Sequence, residues 1–295
     1  MRVSKGLFYG IKIIIIIIML NKIKIIAEIG WNHMGNIQLA EKMIKAAAKS
    51  GADYCKFQTW SVNNLKNGPW DYDGRRQIYE KAQLSFEDHI KLKKICSKYN
   101  VNFFTSLFNI NDVLMLKKIN KKIIKIPSHE IHNLSLIKKC LTNFDKVLIS
   151  TGAAKWSEIK KITKVKNYKK KAIMMHCVSS YPCEMKNINL PRIKALQNIS
   201  RHVGYSGHYF GIEDAIGAIS NGCTYIEKHF TINRKLPGRD NKFALLPDDL
   251  KKVAQFRSNF QFMNIDRGLD LQKCEMSTYK DYRGRWSKQK SLNQC

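Results

Sequence analysis

Two histidines stand at matching points of the chain. Val203-Gly204-Tyr205 leads into Ser206-Gly207-His208, and Thr224-Tyr225-Ile226 leads into Glu227-Lys228-His229. The segment between them, 211–221, has helical character. Each apolar run reads as a β-strand that delivers a histidine just beyond its end. In a parallel α/β sheet both imidazoles then lie on one rim, at the C-terminal ends of neighbouring strands. Two neutral imidazoles with carboxylates close by are a common way to hold a divalent metal ion. A single such histidine would read as a surface or capping residue; its repetition at two successive strand ends points to a metal site.

The elements that must position these residues follow a repeating pattern. Apolar runs at 23–28, 52–57, 101–105, 123–126, 146–150, 172–176, 202–205 and 224–226 read as strands. They are continuous runs, as expected of strands covered on both faces. Each is followed by a helical segment: 39–49, ended by Gly51; a helix opened by Ser85-Phe86-Glu87-Asp88 with capping chemistry; a short one after 101–105; 133–141; one from Lys155; a short one after Pro191; 211–221; and a last one from Pro247-Asp248-Asp249. The stretch 59–84 reads as a long polar and aromatic loop. Eight strand–helix units predict a (β/α)8 TIM barrel, an α/β fold. An open doubly wound sheet is disfavoured because no GxGxxG follows the first strand.

Polar residues collect at the strand ends, where such a barrel places its chemistry. Lys56, Lys125, Ser128, Ser179 and Ser206 suit a phosphate or carboxylate, as point charges and hydroxyl donors. Glu28, Glu130, His208, His229 and Asp240 suit a metal ion and a carbonyl or polyhydroxy partner. The bland reading of Glu28 and Glu130 is pairing with lysines across the barrel mouth. Gly30, Gly35 and Asn36 read as loop punctuation. His89, His129, His132 and His202 read as surface or packing residues.

Composition bounds the rest. With 52 Lys and Arg against 23 Asp and Glu, the formal charge is +29. The lysines are spread over every helical segment and form no basic stripe interleaved with aromatics, which argues against nucleic acid. Eight cysteines show no CxxC pair and no zinc spacing, and Cys55 and Cys177 sit in apolar runs as small hydrophobes. A reduced, cytoplasmic protein is expected. The N-terminal residues 1–21 imitate a signal peptide, but their apolar run of 13–20 is far short of the roughly 20 residues that span a bilayer. They read as an extension from a start placed ahead of Met19, without stable membrane insertion. The catalytic barrel is expected over 22–265 and a polar tail over 266–295.

The motifs AEIGWNHMGN, KFQTW, KIPSHEIHNL, LISTGA, HCVSSYP, YSGH and IEKHFT occur in that order. Together they resemble the sialic acid (N-acetylneuraminate) synthase family over about residues 24–250. The resemblance implies a catalytic barrel that condenses phosphoenolpyruvate with N-acetylmannosamine or a related N-acetylated hexose. The product is a nine-carbon 2-keto acid sugar, released with phosphate. It implies that His208 and His229 hold Mn²⁺ or Mg²⁺, and that Lys56, Lys125, Ser128, Ser179 and Ser206 bind phosphoenolpyruvate. Gln58, Glu130, Tyr181 and Asp240 would contact the amino sugar, and Glu28 would handle a proton near the reacting carbons. A homodimer is the family expectation. Many members add an antifreeze-like C-terminal domain that lends the partner subunit an arginine; its motifs do not follow Asp240 here, and Arg283 or Arg285 of the tail is a candidate substitute. The chain also carries SGH where some relatives carry SDH.

Three rivals define what must be tested. Pseudaminic- or legionaminic-type synthases act on a 2,4-diacetamido hexose. A noncatalytic basic protein would bind nucleic acid or a membrane surface. A Schiff-base aldolase would use Lys125 or Lys56 as its nucleophile.

Overall fold

The computed structural model describes residues 23–286; the N-terminal extension 1–21 lies outside them. Eight parallel strands close into a barrel in chain order. They are β1 (Lys24–Gly30), β2 (Tyr54–Thr59), β3 (Asn102–Leu107), β4 (Ile123–Ile126), β5 (Lys146–Ser150), β6 (Ala172–Cys177), β7 (Val203–Gly207) and β8 (Tyr225–His229). The helices are α1 (Ile37–Lys49), α2 (Arg75–Ala82), α3 (Phe86–Lys98), α4 (Val113–Ile119), α5 (Leu134–Asn143), α6 (Trp156–Ile162), α7 (Tyr168–Lys171), α8 (Arg192–Gln197), α9 (Glu213–Ser220) and α10 (Pro247–Met263). This is the (β/α)8 fold expected from the sequence.

Local chemistry sets the helices. In α1 the buried residues Ala40, Met43, Ile44 and Ala47 recur at helical spacing and form one face against the barrel. Burying a Met or Ile side chain fully contributes about 1.5–3 kcal/mol. Asn36 caps the start, its side-chain oxygen accepting from the Leu39 N–H at 2.9 Å. Gly51, at φ +89°, lets the chain leave the C-terminus in a left-handed conformation. Helix α3 opens on the expected capping box: the Asp88 N–H donates to Ser85 Oγ at 3.0 Å, and the Ser85 N–H to Asp88 Oδ2 at 3.1 Å.

Strand alternation sorts each strand into two faces. The outward residues, such as Ile25, Ala27, Cys55, Phe57, Ile124, Val147, Ile149, Met174 and Ile226, form the main core with the helices. The inward residues stack in layers. Ile26, Tyr54, Phe104, Ile123, Leu148, Ile173, Met175 and Tyr225 close the lumen with an apolar floor. Two residues further along the same strands come Glu28, Lys56, Ser106, Lys125, Cys177 and Glu227, and Ser206 follows Gly204 in the same way. His229 ends β8 and His208 follows β7. The site is thus a polar layer standing on an apolar plug.

The structure differs from the sequence expectation at two places. Glu227 and His229 lie within β8 rather than beyond it, because the strand continues through its polar end in register with β1, Glu28 opposite His229. The loop expected at 59–84 contains α2, whose only buried residue is Ala82. It has no apolar stripe to betray it, and tertiary contacts hold it: the Tyr79 ring stacks on Trp31 at 5.2 Å, and Trp60 Nε1–H donates to the Tyr79 carbonyl at 3.0 Å. Helix α10 ends at Met263, and the exposed tail contains short turns at Lys273–Glu275 and Thr278–Tyr282. There Arg283 packs over Tyr279 and Arg285 over Tyr282 and Trp286, all within the tail. No described helix is long and apolar enough to cross a membrane.

Candidate active site

The polar layer begins with two buried ammonium groups. Lys56 Nζ lies 2.7 Å from Glu28 Oε2, 3.6 Å from Glu227 Oε1 and 3.2 Å from Ser106 Oγ. Lys125 Nζ lies 2.5 Å from Glu227 Oε1 and donates to Ser206 Oγ at 3.1 Å, and the Ser206 hydroxyl donates on to Glu227 Oε1 at 3.1 Å. The strand register builds this cluster. Glu28 pairs with Lys56, Ser106 with Lys125, and Ser206 with Glu227, so three strand pairs contribute to one ring. Two lysines balance two carboxylates beneath the barrel mouth.

The carboxylates differ. Burial pushes Glu28 up to about 7, partly offset by Lys56 and reinforced by the negative charge of Glu227. For Glu227 burial also acts upward, but Lys125 and Lys56 together outweigh it and hold the group below its ordinary value. A pair driven apart in this way marks Glu28 as the group able to exchange a proton near neutral pH and Glu227 as a fixed charge. Gln58 Nε2–H donates to Glu28 Oε1 at 2.7 Å and sets its orientation.

Beside the lysines, Gly152 is the floor of a small cradle. A Cβ there would meet Ser179 Oγ at 2.3 Å, Ser128 Oγ at 2.8 Å and Cys177 Sγ at 3.1 Å. Glycine therefore lets two hydroxyls and a thiol converge where a side chain would otherwise stand. Cys177, read from the sequence as a packing residue, instead faces this group: Ser128 Oγ–H donates to its sulfur at 3.4 Å, and His208 Nδ1 is 4.0 Å away. Burial opposes ionisation of the thiol, yet His208 and Lys125 prevail and bring it down to about 7.

The imidazoles form the upper layer, their ring centres 5.5 Å apart. His208 Nδ1–H donates to the Val178 carbonyl at 2.9 Å, which presents Nε2 to the site. The backbone returns to the same residue, the Cys183 N–H donating to the His208 carbonyl at 3.0 Å. The Tyr181 ring covers His208 at 4.1 Å between centres and is itself 44% exposed. His229 is buried, with Nδ1 lacking a hydrogen-bond partner. Burial and the charges of His208 and the lysines hold it well below the ordinary histidine value, so it is neutral. Asp240 Oδ2 is 3.4 Å from that nitrogen and accepts from Trp31 Nε1–H at 2.5 Å. Burial raises Asp240 to about 6. The loop after β8 folds back to bring it there, the Leu245 N–H donating to the His229 carbonyl at 2.8 Å.

An unpartnered buried nitrogen on His229 and a presented Nε2 on His208 are the donor set a borderline divalent ion takes. Among the described residues no group of three or more His, Cys, Asp or Glu side chains gathers as a ligand set. Two imidazoles are thus the residues that could hold such an ion.

Of the residues singled out from sequence, Glu28, Lys56, Lys125, Ser206 and Gln58 meet in the lower ring, Ser128 and Ser179 in the cradle, and His208, His229, Tyr181 and Asp240 in the upper layer. Glu130 lies two residues beyond Ser128 on the turn after β4, and its carboxylate accepts from Asn133 Nδ2–H at 3.0 Å within that turn. Sequence reasoning assigned no role to Glu227, Cys177, Trp31 or Phe243. The period-2 alternation of IEKH places Glu227 on the lumen face and could have flagged it. Phe243, whose ring lies 5.1 Å from His229, carries no sequence signal. His89 and His176 are packing residues. His89 hydrogen-bonds Thr59 and Ser85, and His176 faces outward and donates to the Ile188 carbonyl at 2.8 Å.

A closed (β/α)8 barrel with a ring of buried lysines and carboxylates below paired imidazoles defines a barrel protein with its chemistry at the C-terminal rim. The chain belongs to the NeuB family, whose model matches residues 43–264; the family's enzymes are synthases of sugar acids. It is 36% identical over 251 residues to the N,N'-diacetyllegionaminic acid synthase of Campylobacter jejuni, covering 80% of this chain and 75% of that protein. It is 33% identical over 252 residues to the protein of the same name from Legionella pneumophila, covering 78% and 70%. Among solved structures, the N-acetylneuraminic acid (sialic acid) synthetase of Leptospira borgpetersenii superposes with a TM-score of 0.80 at 31% identity, covering 90% of this chain and 94% of that one.

Proposed function

We propose that this protein condenses phosphoenolpyruvate with an N-acetylated hexose to give a nine-carbon 2-keto acid sugar and phosphate, and that the sugar is a 2,4-diacetamido hexose. The observation that carries the reaction is the stacking of an anion ring and cradle directly beneath two imidazoles. Lys56, Lys125, Ser206, Ser128 and Ser179 would take the carboxylate and phosphate of phosphoenolpyruvate. Their hydroxyls and ammonium groups exchange Glu28 and Glu227 for the substrate's own negative charge. The open-chain sugar would lie above, among Tyr181, Gln58 and Asp240, with its aldehyde carbon over the enol carbon. His208 and His229 would hold one Mn²⁺ or Mg²⁺, which supplies Lewis-acid polarisation of the aldehyde.

The enol carbon then bonds to the aldehyde carbon, leaving C2 as an oxocarbenium while the aldehyde oxygen takes up a proton. Water adds at C2 and loses a proton. The tetrahedral intermediate expels phosphate by breaking its C2–O bond, which leaves the ketone. Glu28, at about 7, is suited to give the aldehyde oxygen its proton and then to receive one from the added water.

The choice of sugar is supported by the two legionaminic acid synthases at 36% and 33% identity. It is also supported by the apolar wall of Trp31, Trp60 and Tyr79 next to Asp240, which suits acetamido methyl groups. N-acetylmannosamine is the second reading, favoured by the likeness to a sialic acid synthetase. The test follows phosphate release and 2-keto acid formation with either sugar, with and without EDTA, beside His208→Ala/His229→Ala. Release that requires sugar, metal and both histidines is expected, with the higher kcat/KM on the diacetamido sugar. Borohydride trapping of a substrate on Lys56 or Lys125 would overturn this mechanism in favour of a Schiff-base aldolase. Binding to DNA or anionic vesicles with no phosphate release would overturn it in favour of a noncatalytic basic protein.

A further inference from the structure

Behind the imidazoles, on the outer face of the barrel, lies a buried ion pair that the chemistry above does not use. Lys228 sits between Glu227 and His229 on β8, so strand alternation sends its side chain away from the lumen. Its ammonium lies 2.9 Å from Asp214 Oδ1 and 2.7 Å from Oδ2, and donates to the Tyr209 carbonyl at 2.6 Å. The three contacts use the three donors a lysine has. The Lys228 side chain is 3% exposed and that of Asp214 is fully buried. Asp214 Oδ2 also accepts from the Tyr205 hydroxyl at 2.9 Å.

Asp214 reaches this point from α9 because β7 leaves room for it. Gly207 pairs with Lys228 in the β7–β8 register. A Cβ on Gly207 would meet Asp214 Oδ2 at 2.3 Å and Tyr205 Cε1 at 2.4 Å. The carboxylate of Asp214 thus fills the space that a side chain at 207 would occupy, directly beside the lysine. A glycine in SGH thus leaves the Asp214 carboxylate its place beside Lys228.

We propose that Asp214 is a positioning residue for the two imidazoles, acting through Lys228. Tyr209 follows His208, and Lys228 precedes His229. The chain Asp214–Lys228–Tyr209 carbonyl therefore ties the turn bearing one imidazole to the strand bearing the other, and sets their separation. Without the carboxylate, Lys228 would be a buried uncompensated charge. It would turn towards solvent and release the Tyr209 carbonyl. The inference rests on the reading of His208 and His229 as a metal-holding pair.

The test uses the full chain and the variant Asp214→Ala/Lys228→Met, which removes both buried charges together and so leaves neither orphaned. Three quantities are measured: thermal midpoint, Mn²⁺ affinity by electron paramagnetic resonance, and the His208 ring resonances of the metal-free protein by long-range ¹H–¹⁵N spectroscopy. The expected result is a folded variant whose Mn²⁺ affinity falls by about tenfold or more and whose His208 ring signals move. A lowered midpoint with Mn²⁺ affinity within twofold of wild type would reduce Asp214 to a purely structural residue and overturn the proposal. If wild type binds no Mn²⁺, the metal reading fails by itself, and the His208 signals alone decide the role of Asp214, unmoved signals overturning it. If the double variant does not fold, Asp214→Asn, which keeps the shape and one acceptor, is measured in the same way.

Discussion

Lys125 and Glu227 meet across the barrel lumen at 2.5 Å, both almost wholly buried, although 102 residues separate them in the chain. Breaking a buried pair by removing one member leaves the other charge uncompensated, at a cost of about 3–5 kcal/mol. Glu227→Ala is therefore expected to lower unfolding free energy by about that amount, read from urea denaturation. Glu227→Met/Lys125→Met should recover most of it while losing activity. A single variant as stable as wild type would show that the ring is not a buried ion network.

Glu28 gives the protein a pH signature. Its folded value of about 7 is raised above the unfolded carboxylate value of 4.5. The folded state therefore binds the proton more tightly, and the stability this contributes is full below about 4.5 and lost as pH rises through 7. Glu28→Gln should abolish that decline between pH 5 and 8 in thermal midpoints. It should also lower kcat by about 10²–10⁴-fold if Glu28 transfers a proton.

Binding of phosphoenolpyruvate should take up a proton near pH 7. The ligand's negative charge competes with Glu28 for Lys56, removing the interaction that lowers the Glu28 value and adding like charge beside it. Calorimetric titrations in buffers of different ionisation enthalpy measure this uptake, and Glu28→Gln should eliminate it. Net proton release in wild type would contradict the assignment.

His33 predicts acid sensitivity of another origin. Burial holds it down at about 4, from 6.5, so it is neutral in the folded state. A depressed value means stability present above about 6.5 and lost as pH falls towards 4, on the order of 3 kcal/mol in all. The slope of stability against pH over this window should be smaller in His33→Gln, which keeps a polar group near the Gly35 N–H that His33 Nδ1 accepts at 3.0 Å.

Gly152→Ala should act on substrate rather than on folding. Its Cβ would press on the hydroxyls of Ser179 and Ser128, which can rotate away at small cost to the fold but then no longer converge. Losing charge-assisted hydrogen bonds to a phosphate should raise KM for phosphoenolpyruvate by about ten- to a hundredfold, with the thermal midpoint little changed. Steady-state kinetics and differential scanning calorimetry separate the two effects.

The strands, their order and the residues at their ends were legible in the sequence because each reports a local rule. An apolar run of three to six residues makes a doubly covered strand, a capping box opens a helix, and a histidine after each of two successive strands lands on one rim. Seven ordered motifs carried the likeness to a sugar-acid synthase family for the same reason: they are short and linear.

What the tertiary structure alone decided concerns relations between strands. The division of Lys56, Lys125, Glu28 and Glu227 into one charge-balanced ring depends on register, which no single strand encodes. Helix α2 stays ordered by stacking Tyr79 on Trp31, a contact 48 positions apart in the chain. Cys177 reads as a small hydrophobe in an apolar run, and only barrel closure turns it towards Ser128 and His208. The same holds for Gly207, whose missing side chain is explained by a carboxylate arriving from α9. Local periodicity determines which face a residue takes, whereas the partners on that face follow from how the eight strands close.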